Sequence, residues 1–223
     1  MAHQRSVFDI IGPVMIGPSS SHTAGAVRLG ALARAIFGGQ PQSAEIVLHG
    51  SFASTGMGHG TDLALVAGLL GMSPDDPRIP DAFAEAEAAG LSISFASDDL
   101  GEVHPNTARL TLRGPEEREM LVQGCSVGGG DVLVTRIGEF DVEVSGELPV
   151  LVVAHHDQPG VIAGVTAVLA AEGVNVASME VSRERRGASA LMIIETDNPV
   201  GAGSLDELRK VAGVTDVRTV PAV

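Results

Sequence analysis

The chain has 223 residues, of which 44% are hydrophobic and only 3% aromatic, so small aliphatic side chains must fill its core. Asp and Glu outnumber Lys and Arg by 28 to 14, and the formal charge of −14 disfavours a nucleic-acid partner, because phosphate backbones repel acidic surfaces. No stretch reaches the roughly 20 apolar residues of a membrane span, and no signal peptide is recognisable. We therefore expect a cytoplasmic protein of two domains that has no membrane partner.

Two side chains that support cofactor chemistry are scarce. Cys125 is the single cysteine, whereas an iron–sulfur cluster needs about four thiolates, so the chain alone cannot hold such a cluster. Lys210 is the single lysine, and it lies in "LDELRKVAG", a segment typical of a surface helix end, where a basic residue suits the helix dipole. This position argues against the Schiff-base lysine of a pyridoxal-phosphate enzyme.

The opening segment predicts a loop rich in hydroxyl groups between two helices. A short helix is predicted over residues 6–11, and two prolines then enforce a loop. The loop contains "GPSSSHTAG", residues 17–25, in which five consecutive side chains can form hydrogen bonds and only Ala24 is apolar. The following helix, "AGAVRLGALARAIFGG", has apolar residues at helical spacing, and we expect Ser21 or Thr23 to cap it.

The rest of the first domain predicts an α+β arrangement. "SAEIVLHGSFA" is a strand candidate, "GTDLALVAGLLG" a buried helix capped by Thr61, and "DAFAEAEAAG" a short acidic helix. Four further segments have strand patterns: "LSISFAS", "TARLTLRG", "EMLVQGCSVGGG" and "DVLVTRIGEFDVEV". The glycine triplet at residues 128–130 predicts a hairpin turn, because it lacks the G-x-x-x-x-G-K-[ST] pattern of a phosphate loop. A break at "EVSGELPV" predicts domains of residues 1–146 and 147–223.

Residues 147–223 show a more regular pattern. The predicted elements are the strand "LPVLVVAHH", the helix "DQPGVIAGVTAVLAAEG", the strands "VNVASMEVSRER" and "GASALMIIETD", the helix "GSLDELRKVAG" capped by Ser204, and the strand "VTDVRTV". This βαββαβ order is typical of a ferredoxin-like domain. His155 and His156 are adjacent on the first strand, so they should point to opposite faces and not chelate a metal together.

The segment "HHDQPGVIAGVTAVLAAEGVNVASMEVSR" resembles the ACT domain, a regulatory module that binds small ligands, usually amino acids. The resemblance implies an effector site at the turn of Asp157 and Gly160, often formed between paired modules near Asn175. Gly160 would let a ligand approach backbone N–H groups at the helix start. The alternative is structural, with Gly160 serving packing and Asn175 closing a turn. Since ACT modules commonly pair edge to edge, the resemblance also implies self-association.

The segments "IGPSSSHTAGAVRLG" and "GSFASTGMGHGTDLALVAGLLG" resemble the β chain of bacterial iron–sulfur L-serine dehydratase, whose two-subunit form carries an ACT module at this place. The resemblance implies a subunit of L-serine ammonia-lyase, a lyase that converts L-serine to pyruvate and ammonia. It implies an α-chain partner whose cysteines ligate the [4Fe–4S] cluster, which acts as a Lewis acid on the serine hydroxyl. A related fold is the allosteric substrate-binding domain of some phosphoglycerate dehydrogenases.

Residues in the two segments match the chemistry that this reaction needs. The hydroxyl groups that suit the substrate carboxylate are those of Ser19, Ser20, Ser21 and Thr23. His22 titrates near neutrality, and His59 lies between two glycines in a predicted loop. We expect these two histidines to supply the base for the α-proton and the acid for the departing hydroxyl, in a site facing the α chain. No metal ligand is expected from this chain.

Two further residues are expected to be structural, and a second function stays open. Asp62 is interpreted as a helix-start residue, and Cys125 as a buried strand residue. The alternative function is a non-catalytic amino-acid sensor, either free-standing or bound to a partner. The two functions differ in whether replacing His22 and His59 by Ala abolishes turnover in a complex with the partner.

Overall fold

The computed structural model describes residues 13–223, so the helix predicted over residues 6–11 lies outside the described residues. The described chain forms two compact units, which divide between Thr135 and Arg136. The predicted domain boundary between residues 146 and 147 stays a prediction. Within the described range, no helix is both long enough and apolar enough to cross a membrane.

The first unit begins with a single π-helical turn, Ser20–Ala24, which runs directly into the first α-helix. The helices of this unit are short: α1 (Gly25–Phe37), α2 (Gly50–His59), α3 (Thr61–Leu69) and α4 (Ala82–Ala88). Gly38 ends α1 in a left-handed conformation. Gly60 separates α2 from α3, and its φ of 68° lets the chain change direction between two helices.

One mixed sheet carries these helices. Its strands are β1 (Ser43–Leu48), β2 (Ser92–Ser97), β3 (Thr107–Arg113), β4 (Glu119–Gly128), β5 (Asp131–Ile137) and β6 (Phe140–Val144). They lie in the order β2-β1-β3-β4-β5-β6. Strand β1 runs parallel to β2, with Ile46 opposite Phe95, and antiparallel to β3, with Ile46 opposite Leu110. The sheet therefore presents buried aliphatic side chains to the helices.

Helix α1 packs against α3 and β4. The contact between the two helices is close enough to require glycine on each side, because a Cβ on Gly30 would lie 3.1 Å from Cα of Gly68 and 3.0 Å from N of Leu69. Large aliphatic side chains, among them Leu29 and Leu65, are completely buried around this crossing. The crossing holds the start of α1, and with it the π-helical turn, next to α3.

The second unit confirms the predicted βαββαβ domain. After residues 136–144, which include β6, its elements are β7 (Val150–His156), α5 (Val161–Ala171), β8 (Val176–Arg183), β9 (Ser189–Thr196), α6 (Ala202–Arg209) and β10 (Val214–Val220). The strands form an antiparallel sheet in the order β10-β7-β9-β8. Alternate residues such as Leu151, Val153 and Met192 enter a core that they share with Val165 and Leu169 of α5. The α+β fold class is thus confirmed.

Two strand predictions were wrong in extent. The strand predicted from residue 43 to 53 ends at Leu48, because Gly50 takes a φ of 54° and the carbonyl of Pro105 accepts the N–H of Ser51. The segment predicted as one strand from residue 131 to 144 is two strands, because Gly138 turns the chain with a φ of 57°. The hairpin predicted at residues 128–130 is confirmed between β4 and β5.

The predicted helix caps were also wrong. Ser19 accepts a hydrogen bond from the backbone N–H of His22 at 3.2 Å, so it caps the π-helical turn in place of Ser21 or Thr23. Glycines precede α3 and α6, and Thr61 and Ser204 lie buried inside those helices without a capping bond. Packing against the core outweighs the capping preference of these side chains.

Candidate active site

The structure brings His22 and His59 together, with ring centroids 5.1 Å apart. His22 is positioned by the π-helical turn, whose first N–H groups are capped by Ser19. His59 is the last residue of α2, so its predicted placement in a glycine-rich loop was wrong. The preceding Gly58 is helical, and the residue with the left-handed conformation is Gly60. A helix end therefore fixes the backbone of His59.

Two hydroxyl residues that sequence reasoning missed complete the histidine pair. Nε2 of His22 lies 3.2 Å from Oγ of Ser51 and 3.1 Å from Oγ1 of Thr55. Ser51, Thr55 and His59 are spaced four residues apart on α2, and such residues share one face of a helix. A helical interpretation of "GSFASTGMGH" would have revealed this spacing.

Hydrogen bonds within α2 determine the tautomers of both histidines. Nδ1 of His59 lies 3.0 Å from the carbonyl oxygen of Thr55, which can only accept, so Nδ1 donates and Nε2 of the neutral ring keeps its lone pair. The Thr55 hydroxyl donates to the carbonyl of Ser51 at 2.8 Å, so its oxygen accepts from Nε2–H of His22. Each neutral ring therefore keeps one nitrogen that can accept a proton.

The surroundings of His22 favour its neutral form. Partial burial lowers the pKa of His22, the neighbouring His59 lowers it further, and a backbone contact with Ser51 partly opposes them. The ring of His22 also packs edge-on against the fully buried Phe52, with centroids 5.3 Å apart. His22 is therefore neutral near pH 7. A neutral imidazole can accept a proton as a base and then, once protonated, donate it as an acid.

The predicted carboxylate-binding hydroxyls differ in their surroundings. Oγ of Ser19 accepts the N–H of His22 and keeps its own hydrogen to donate. Ser20 and Ser21 are half-buried in the π-helical turn, and within residues 13–223 their hydroxyls have no hydrogen-bond partner. Thr23 is only 2% exposed and packs against Gly17. The hydroxyls of Ser20 and Ser21 are thus the donors that are open to a ligand.

The residues that the structure describes do not suit an iron–sulfur cluster. Cys125 is a buried residue of β4, as predicted, and burial raises the pKa of its thiol, whereas a cluster ligand must be a thiolate. Across residues 13–223, no group of three or more His, Cys, Asp or Glu side chains is arranged to hold a metal ion. A cluster would therefore need ligands from outside the described residues.

In the second unit, the structure separates the predicted effector residues. Gly160 begins α5 with a φ of 95°, whereas Asn175 lies beyond the other end of that helix. The 11 residues of α5 span about 16 Å, so the two residues of one copy do not meet at one small ligand. The side-chain amide of Asn175 donates to Oδ2 of Asp197 at 2.7 Å, which agrees with the alternative of a structural turn residue.

Asp157 holds the β8–β9 hairpin next to the start of α5. Its Oδ2 accepts the backbone N–H of Gly187 at 3.0 Å and a guanidinium N–H of Arg183 at 3.1 Å. The hydrogen bond from Gly187 makes the largest contribution to lowering the pKa of this carboxyl group, and Arg183 lowers it further. The nearby His155 is buried and His156 is exposed, as expected for opposite faces of β7.

Comparison with known proteins identifies the family. Residues 6–90 match the serine dehydratase beta chain family, and residues 150–213 match the ACT domain family. Over 216 residues the chain is 48% identical to the probable L-serine dehydratase, beta chain, of Bacillus subtilis, covering 97% of this chain and 98% of that protein. The chain belongs to the family of L-serine dehydratase beta chains.

Two further relatives show how far this similarity extends. The L-serine dehydratase beta chain of Peptoniphilus asaccharolyticus is 38% identical, over 87% of this chain and 88% of that protein. A D-3-phosphoglycerate dehydrogenase of Synechocystis is 28% identical over 86% of this chain, but the match covers only 35% of that enzyme. The family and the C-terminal ACT domain expected from the sequence are confirmed.

Proposed function

We propose that this chain is the β subunit of an L-serine ammonia-lyase and supplies part of the active site that converts L-serine to pyruvate and ammonia. The observation that carries the proposal is the pair of imidazoles, His22 and His59, at a centroid distance of 5.1 Å. The relatives named L-serine dehydratase beta chain support it, since they match almost the full chain.

The histidine pair would perform the proton transfers of the elimination. A neutral imidazole accepts the proton from the substrate α-carbon while the bond from the β-carbon to its hydroxyl breaks. The protonated imidazole gives its proton to the departing oxygen, which leaves as water. The resulting aminoacrylate tautomerises to an imine, and water hydrolyses the imine to pyruvate and ammonia. The lowered pKa of His22 keeps one member of the pair neutral near pH 7.

The remaining groups of this site would orient the substrate and the rings. Ser20 and Ser21 would donate to the substrate carboxylate, because their hydroxyls have no other partner among the described residues. Thr55 holds Nε2–H of His22, and its carbonyl holds Nδ1–H of His59, so one residue aligns both rings. Ordered rings lose little freedom when the substrate binds.

The cluster would come from the partner. We infer that a cysteine-bearing α chain holds the [4Fe–4S] cluster, because the one cysteine of this chain is buried and its thiol is protonated. The histidine site of this chain would then face that cluster across the subunit interface. This arrangement makes the chain inactive without its partner.

The test is pyruvate release from L-serine under anaerobic conditions, with this chain alone and with the α chain. We expect turnover only in the mixture, and its loss in His22→Ala and His59→Ala complexes. The matched control is His156→Ala, because His156 is an exposed histidine of the second unit. No turnover in a mixture with an intact cluster would overturn the proposal and leave the amino-acid sensor.

We also propose that the ACT domain binds its amino-acid effector between two copies. Gly160 of one copy and Asn175 of the other would then reach one ligand, which the two residues of a single copy cannot do. The edge strand β8 offers the pairing surface, with Met179 at 41% and Val181 at 39% exposure. Analytical ultracentrifugation should show a dimer that Val181→Lys dissociates and Val223→Lys, also at an exposed valine, does not. A monomeric wild-type chain would contradict this arrangement.

A further inference from the structure

Three buried side-chain oxygens in the histidine-bearing segments have no hydrogen-bond partner among residues 13–223. They belong to Thr23, Thr61 and Asp62. Thr23 is 2% exposed and Thr61 is completely buried. A buried oxygen without a partner costs free energy, so a native structure keeps few of them. Several of them in one region of a fold suggest groups that are reserved for a ligand.

These oxygens belong to the elements that lie next to the histidine pair. Thr23 follows His22 in the π-helical turn, and Thr61 and Asp62 begin α3 directly after the Gly60 that ends α2. The π-helical turn contacts both α2 and α3. The three oxygens therefore lie on the elements that bring the two imidazoles together.

Asp62 is one of only two acidic residues in this region of the sequence. The chain has 28 Asp and Glu residues, yet from residue 13 to residue 74 only Glu45 and Asp62 are acidic. Glu45 is an exposed residue of β1 that pairs with Arg113. Asp62 has no ion-pair or hydrogen-bond partner among the described residues. One uncompensated carboxylate thus accompanies a site otherwise made of imidazoles and hydroxyls.

The chemistry of an α-amino acid suits this set. In the proposed function, hydroxyl groups donate to its carboxylate. The imidazoles accept its α-proton and protonate its leaving hydroxyl. Its α-ammonium group has three N–H donors and a positive charge, which require acceptors and an opposite charge. The carboxylate oxygen of Asp62 and the hydroxyl oxygens of Thr23 and Thr61 are three acceptors without a partner among the described residues.

We propose that Asp62 binds the α-ammonium group of the substrate, with the hydroxyl oxygens of Thr23 and Thr61 as further acceptors. The inference rests on the proposed function and deepens it, because it assigns a group that distinguishes amino acids from hydroxy acids. Asp62 lies in the first turn of α3, as expected for a helix-start residue, and the proposal gives this residue a second role.

The test uses two probes that differ only in the ammonium group and cannot undergo the elimination, L-alanine and propanoate. Their dissociation constants are measured by calorimetry on the anaerobic complex with the α chain, for wild type and Asp62→Asn. The matched control is Asp81→Asn, because Asp81 is likewise an Asp at a helix start and makes no capping bond. We expect Asp62→Asn to reduce the preference for L-alanine over propanoate by about 30-fold or more, since the ammonium would lose its charged partner.

Other outcomes would overturn the inference. An unchanged preference in Asp62→Asn, or an equal loss of affinity for both probes, would show that Asp62 does not recognise the ammonium. The variant should unfold at a temperature no lower than wild type, because the carboxylate oxygen has no partner to lose. Turnover of L-serine by the same wild-type sample is a separate result, so a failure of the proposed function is distinguishable from a failure of this inference.

Discussion

The substitution Gly68→Ala tests whether the crossing of α1 and α3 holds the active site together. A Cβ on Gly68 would lie 2.8 Å from N of Ala31 and 2.9 Å from Cα of Gly30, and closer still to the carbonyl oxygen of Val27. Real Cβ atoms essentially never approach other atoms within 3.0 Å. All three neighbours are backbone atoms, which cannot rotate away, so the two helices must move apart.

The loss in the free energy of unfolding can be estimated from the cost of overpacking a core. Inserting one methyl group into a well-packed core costs about 1–3 kcal/mol, and a rigid contact on three backbone atoms lies at the upper end of that range. The added helix propensity of Ala returns roughly 1 kcal/mol at most. A net loss of about 2 kcal/mol lowers the unfolding temperature of a chain of this size by about 4–8 °C.

Thermal unfolding followed by circular dichroism measures this effect. The matched control is Gly58→Ala, because Gly58 is an exposed helical glycine whose added Cβ would meet nothing within 4 Å. That variant should be unchanged or more stable by roughly 0.5–1 kcal/mol. An unchanged or higher unfolding temperature for Gly68→Ala would refute the reasoning. Because α1 continues the π-helical turn that carries His22, we also expect lower turnover by the Gly68→Ala complex.

Four further outcomes follow from the site. Thr55→Val removes the acceptor of Nε2–H of His22, so turnover by the complex should fall about 10- to 100-fold without a change in unfolding temperature. A lower unfolding temperature together with the lower turnover would contradict a positioning role. His59→Asn removes a charge that lowers the pKa of His22, so NMR titration should show that pKa rising; an unchanged titration would exclude the coupling. Because the folded-state pKa of His22 is lowered, the unfolded chain binds its proton more readily, and the free energy of unfolding should fall as the pH drops below about 6.5. Urea unfolding should show that His22→Gln weakens this dependence. Cys125→Ala should leave the iron and sulfide content of the complex unchanged in chemical analysis, whereas a loss of iron would make this chain a ligand donor.

The sequence by itself determined the elements whose patterns are local. The second unit has short apolar strand segments, an apolar helix pattern, and glycine or proline at its turns, so its βαββαβ order followed from local patterns. The two histidine-bearing segments could be recognised because both carry short, unusual runs of hydroxyl, histidine and glycine residues. Their residue types were sufficient to select His22 and His59 as candidates.

Only the tertiary structure decided how those segments fold and meet. Residues 50–59 contain three glycines and have weak helix propensity, yet they form α2, because the carbonyl of Pro105 accepts its first N–H groups and Phe52 is buried beneath it. That helix aligns Ser51, Thr55 and His59, which a loop would not do. That an oxygen of Asp62 is buried without a hydrogen-bond partner also follows only from the tertiary structure. Spacing along a chain reveals the face of an element, whereas contacts between elements depend on the packing of the whole core.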